Sequence, residues 1–178
     1  GFPDSLTLSF LGLSLSLKDG TIYDELKKCS YSVVTPRVYC ILSGYAEASP
    51  IPEASKLISF RQLSGGYAYY GAFSRRAIQP IERVFGFSPE RLHEAAGLLG
   101  GVRLDYGDYS AKVYALPLVP ITIIVWGATP EFSPTANILF DSSASNYLST
   151  EQLAMLSELT TARLRHASEV LNSRFKPG

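Results

Sequence analysis

Arg61 is the residue with the clearest chemical potential in this chain. It sits in Ser59-Phe60-Arg61-Gln62-Leu63-Ser64-Gly65-Gly66-Tyr67, a cation flanked by Phe60 and Leu63 in an apolar stretch. Burying a guanidinium requires a compensating partner, and Glu131, Asp105, Asp108 and Asp141 are the carboxylates on offer. The same planar fork would equally anchor a ligand's carboxylate or phosphate. Gly65 and Gly66 make either a tight turn or a place where backbone can approach a ligand closely. Tyr67, Tyr69 and Tyr70 follow at once, and Trp126 ends an apolar run. Aromatic residues at such positions are either core or the walls of a pocket for a flat ligand. Gly65, Gly66 and Tyr69 are therefore grouped with Arg61, Tyr67, Trp126 and Glu131 as a candidate ligand-binding set. The four last-named are expected to converge where strands pass into loops.

Other constellations are weaker. His93 and His166 each fall on an expected helix, and neither has a second histidine or cysteine at metal-binding helical spacing. No metal site is expected. Cys29 and Cys40 are the only cysteines, which points to two reduced thiols, with one bridge or a redox pair as the alternative. Neither a phosphate-binding glycine loop, nor a dinucleotide fingerprint, nor a Gly-x-Ser-x-Gly elbow occurs. An enzyme reading would rest on Arg61, Asp105 and Glu131, with Glu131 carrying the proton.

The chain has 178 residues, 46% of them hydrophobic and 12% aromatic, enough for one domain with a sizeable core. Charged residues make up 18%, below the roughly 25% usual for soluble domains, so some apolar surface is expected to meet a ligand or partner. Sixteen basic residues balance sixteen acidic ones. No basic stripe exists to track a phosphate backbone, and nucleic acid is not an expected partner. The run 115–126 is shorter than the roughly 20 residues a bilayer demands and is broken by Pro117 and Pro120. The run 6–17 alternates with serine and has no basic segment before it. No membrane association is expected, and the cytoplasm is the expected location.

The elements that must position these residues follow from periodicity. Leu6, Leu8 and Phe10, then Leu13, Leu15 and Leu17, alternate with polar residues and shift phase near Gly12, which reads as one strand with a bulge. Thr35-Pro36 opens a helix carrying Val38, Ile41, Leu42 and Tyr45 on one face. Leu57 to Leu63 reads as extended. Ile81, Val84 and Phe85 suggest a short helix, and Ser88-Pro89 opens another that closes at Gly100-Gly101. Val113 and Ala115 lie on an alternating strand, Ile121 to Trp126 is the best central strand, and Asn137 to Phe140 is a further short one. Asp141 before Ser142-Ser143 reads as a helix N-cap. Ser149 and Gln152 form a capping box for a long final helix. The fold class is α+β or mixed α/β, a single domain with a mixed sheet covered by helices.

Four phrases go further: Phe60 to Gly66, Leu116 to Trp126, Glu131 to Pro134 and Leu139 to Asp141. Through them most of the chain resembles a bacterial and archaeal family, domain of unknown function 3786, which has no established activity to transfer. The resemblance implies association with a small cysteine-rich iron–sulfur module or with corrinoid-dependent methyl-transfer proteins in anaerobes. This chain carries no such module, and it has Ala128-Thr129-Pro130 where the family pattern leads one to expect an acidic residue before Glu131. The expected function is a non-catalytic ligand-binding or accessory domain. Its ligand would be flat, such as a tetrapyrrole-like corrinoid or haem, or it would dock on an iron–sulfur or corrinoid protein partner.

Overall fold

The computed structural model describes residues 7–31 and 35–174. The chain opens with four short antiparallel strands in sequence order, β1 (Thr7–Phe10), β2 (Leu13–Ser16), β3 (Ile22–Asp24) and β4 (Cys29–Ser30). The phase shift near Gly12 is a hairpin turn rather than a bulge. Phe10 faces Leu13 across it, and Leu11 and Gly12 both take positive φ, 50° and 68°. Two consecutive left-handed residues are what a tight hairpin with right-twisted strands demands.

Helix α1 (Thr35–Glu47) follows, then β5 (Leu57–Ser59) and a 3-10 turn over Phe60–Gln62. The extended segment expected to reach Leu63 therefore stops at Ser59. There Ser59 and Gln62 close a capping box around the turn. Helix α2 (Gly66–Phe73) runs through a π turn at Ser74–Ile78 into α3 (Gln79–Phe85), and α4 (Arg91–Leu98) comes next. Strands β6 (Val102–Leu104), β7 (Tyr109–Leu116), β8 (Val119–Trp126) and β9 (Thr135–Asp141) precede the short α5 (Ala144–Tyr147) and the 25-residue α6 (Thr150–Arg174).

The second sheet has the order β5-β9-β8-β7-β6, every pairing antiparallel. The α+β class expected from the sequence holds, but the strand directions are not mixed, because the connections from β6 to β9 are hairpin loops and no helix crosses between them. Strand β8 is central, as its predominantly apolar run required. Ile121, Ile123 and Val125 are fully buried and face the helices with Val113 and Ala115 of β7 and Ile138 and Phe140 of β9.

Beneath that face Phe60 and Phe73 stack with ring centroids 3.9 Å apart, and Phe140 tilts against both. One continuous core joins both sheets and all the helices. Helix α6 is its axis, packed on α1, α3, α4 and β7. It starts where expected, with the Gln152 side chain accepting from Ser149 N and the Ser149 hydroxyl accepting from Gln152 N. No helix among the described residues is long and apolar enough to cross a membrane.

Candidate functional site

The expected site residues are dispersed. Arg61, on the 3-10 turn, is exposed, and its guanidinium lies 3.9 Å from the centroid of the Tyr70 ring. It is not the buried cation its apolar neighbours suggested. In a 3-10 turn side chains splay outwards at successive corners, so Phe60 and Leu63 turn inwards while Arg61 points to solvent. Stacking on Tyr70 is then worth about 0.5–1 kcal/mol. Gly66 is required by crowding, since a Cβ there would stand 1.9 Å from the carbonyl oxygen of Phe60. Gly65 takes φ 71° with open space beside it.

Tyr67 is 79% exposed on α2. Trp126, 40% exposed at the end of β8, lies against Gly107 in the hairpin that carries Asp105 and Asp108. The Asp108 carboxylate accepts from Gly127 N at 2.8 Å and so ties that hairpin to the loop leading to Glu131. Asp105 and Glu131 are exposed. Asp141 does not cap α5 directly, because Ser143 holds that place. Its Oδ1 accepts from Ser143 N, from the Ser143 hydroxyl and from Ala54 N, pinning the segment before β5 to the sheet. Burial works against its charge, but these donors win and hold its pKa below the ordinary value. Cys29 and Cys40 are free and exposed.

Two clefts remain. One lies on the sheet face away from the helices, about 170 Å³, lined by Glu53, Leu57, Tyr106, Lys112, Thr122 and Asp141. Lys112 pairs with Glu53 at 3.2 Å and lies 5.1 Å from the Tyr114 ring. A hydrogen bond with Tyr114 raises the Lys112 pKa; burial opposes and Glu53 adds to the rise. This amine stays an ammonium at neutral pH and offers no nucleophile.

The other is a groove along the first half of α6. Its inner section, about 200 Å³, lies between α1 and α6 and has apolar walls from Val38, Ile41, Met155 and Leu159. Arg37, Arg76, Met155 and Glu158 also wall the adjoining section, and Tyr69 and Glu151 lead from there to a third section at Ser64, Gly65 and Thr150. Two cations meet in it. Arg37 donates to Glu158 Oε2 at 3.1 Å, and Arg76 NH1 stands 3.7 Å from Glu158 Oε1. Arg76 also donates to the Tyr69 hydroxyl at 2.8 Å.

Arg76 reaches this place through the π turn, a widened turn often found at functional sites. The carbonyl of Ala77 in that turn accepts from the buried Thr161 hydroxyl on α6, which locks the turn against the helix. Of the expected residues the groove takes in Gly65 and Tyr69, and not Arg61, Gly66, Tyr67, Trp126 or Glu131. Sequence reasoning missed Arg37, Arg76 and Glu158. The available signal was the seven-residue spacing of Glu151 and Glu158 on an otherwise apolar helix face, which marks a polar lane.

Fold and groove define an α+β domain built around one long helix, with a cation-bearing groove alongside it. The family model described as Domain of unknown function (DUF3786) matches residues 3–163, and the chain belongs to that family. No curated protein and no solved structure matches it.

Proposed function

We propose that this domain is a non-catalytic ligand-binding or accessory module whose ligand lies in the groove beside α6. One observation carries the reading: two guanidiniums converge on a single carboxylate, Glu158, in a groove with apolar walls. Binding sites commonly combine such walls with a few orienting polar groups. A flat ligand would lay its apolar body against Val38, Ile41, Met155 and Leu159 and direct an acidic group to Arg37 and Arg76. A tetrapyrrole-like cofactor, corrinoid or haem, would lie along the groove with one edge inserted, because the inner section alone is smaller than the roughly 300–1,000 Å³ of drug-sized pockets. An exposed second edge would suit a domain that presents its cofactor to an iron–sulfur or corrinoid protein partner.

The test is anaerobic titration of the purified protein with haem and with cobalamin, followed by absorption. The expected result is saturable binding of one of them that falls by about tenfold or more in the Arg37→Ala/Arg76→Ala double variant. Binding unaffected by that double variant would overturn the reading. So would turnover of a small molecule abolished by Glu131→Gln.

A further inference from the structure

We infer that Glu158 occupies the place of a ligand's oxyanion, so that the Arg37–Arg76 pair recognises a carboxylate or phosphate carried on an aromatic or otherwise flat body. This rests on the groove being the binding site and names the chemistry it selects. Each guanidinium is a planar fork of several N–H donors, yet among the described residues one hydrogen bond from each is accounted for, Arg37 to Glu158 and Arg76 to Tyr69. The Arg76 contact with Glu158 is an ion pair at 3.7 Å, beyond hydrogen-bonding distance. The remaining donors have no acceptor among the described groups, on side chains that line the groove and are more than half exposed.

The titratable and charged groups along the groove are Arg37 from α1, Arg76 from the π turn, Tyr69 from α2, Glu151 and Glu158 from α6, and Tyr31 at its inner end. Glu151 lies two turns from Glu158 and walls both the section that holds the arginine pair and the third section beyond it. Two carboxylates thus line the section that holds both arginines, but among the described residues only Glu158 pairs with them, so what the pair offers a ligand is its open N–H donors. An incoming oxyanion fills the open donors bidentately, takes over the pairing with both guanidiniums and releases Glu158, which is only 16% exposed, to turn towards solvent. Apolar walls next to the forks favour an aryl or flat carrier over the free inorganic ion.

The experiment is titration by calorimetry with phenyl phosphate, benzoate and neutral benzyl alcohol, on the parent chain and on Glu158→Gln, Arg76→Gln and Arg37→Lys. The two acids separate phosphate from carboxylate as the preferred group. Removing the internal competitor in Glu158→Gln is expected to tighten acid binding by about threefold to tenfold. Arg76→Gln is expected to weaken it by about tenfold, and Arg37→Lys, which keeps charge but loses the fork, by several-fold. Benzyl alcohol should not respond to Glu158→Gln.

Acid binding unchanged or weakened in Glu158→Gln overturns the inference. If that variant does not fold, acid affinity unchanged in Arg37→Lys overturns it instead. Binding of haem, cobalamin or benzyl alcohol that depends on the groove, with neither acid bound, leaves the groove reading standing and removes only the oxyanion. No probe binding to any form removes both.

Discussion

Two arginine–carboxylate arrangements lie on the same helix and differ in almost every respect. Arg163 and Asp24 have side chains 3% and 1% exposed, with NH1 on Oδ2 at 2.6 Å and NH2 on Oδ1 at 2.8 Å. That guanidinium also reaches the hairpin turn of the first sheet, Nε donating to the Leu11 carbonyl and NH2 to that of Gly12. Asp24 in turn accepts from the backbone N–H groups of Leu26 and Lys27. Four of the five N–H donors of the Arg163 guanidinium are thereby engaged. One turn and a half earlier on α6, Glu158 meets two arginines whose side chains are 59% and 55% exposed, and among the described residues most of their donors have no acceptor. A nearly saturated pair fastens elements together, whereas an unsaturated one can accept a guest.

Stability measurements should separate the two most sharply. Asp24→Ala leaves the Arg163 charge buried without a partner and is expected to cost about 3–5 kcal/mol in urea denaturation. A loss below about 1 kcal/mol would mean that water reaches the pair and that the comparison is false.

Acid is the next lever. Burial raises the Asp24 pKa, but the Arg163 hydrogen bonds and charge and the two backbone donors outweigh it and bring the value to about 2, from 3.8. A depressed carboxylate stabilises fully above its unfolded value and loses that contribution as pH falls through the folded one. Thermal melts should therefore hold a contribution of about 2 kcal/mol above roughly pH 4 that declines towards pH 2. In Asp24→Asn that part of the acid limb should disappear.

Around Glu158 the expected changes are small. Arg37→Gln or Arg76→Gln should shift stability by no more than about 1 kcal/mol, so an effect on ligand binding without an effect on melting would sharpen the contrast. Smallest of all, Tyr69→Phe removes the hydroxyl that accepts from Arg76. It is expected to cost about 0.5–1 kcal/mol at most and to weaken acid binding about twofold, readable in the same titrations.

Much of the architecture was legible because periodicity reports burial. Ile121, Ile123 and Val125 had to be inside, the Ser149–Gln152 box had to start α6, and both hold. The Gly12 hairpin was misread as a bulge because an apolar residue, Leu11, occupies a left-handed position normally left to glycine or asparagine. It can do so since Arg163, far away in sequence, holds its carbonyl. Arg61 was misjudged from its neighbours' hydrophobicity, which says nothing about which way a 3-10 corner points. The Arg37–Arg76–Glu158 cluster stayed hidden for another reason. Its members come from α1, a π turn and α6, and no local pattern announces that a widened turn will swing Arg76 towards a helix some eighty residues further on.

The Arg163–Asp24 pair also has a consequence in time. Its partners stand 139 residues apart, so on a ribosome adding roughly 5–20 residues per second the first sheet emerges many seconds before the residue that fastens it. For that interval Asp24 faces water and the hairpin turn lacks its clamp. The four short strands thus wait for α6, which is made after the other described elements and closes the sheet made before them.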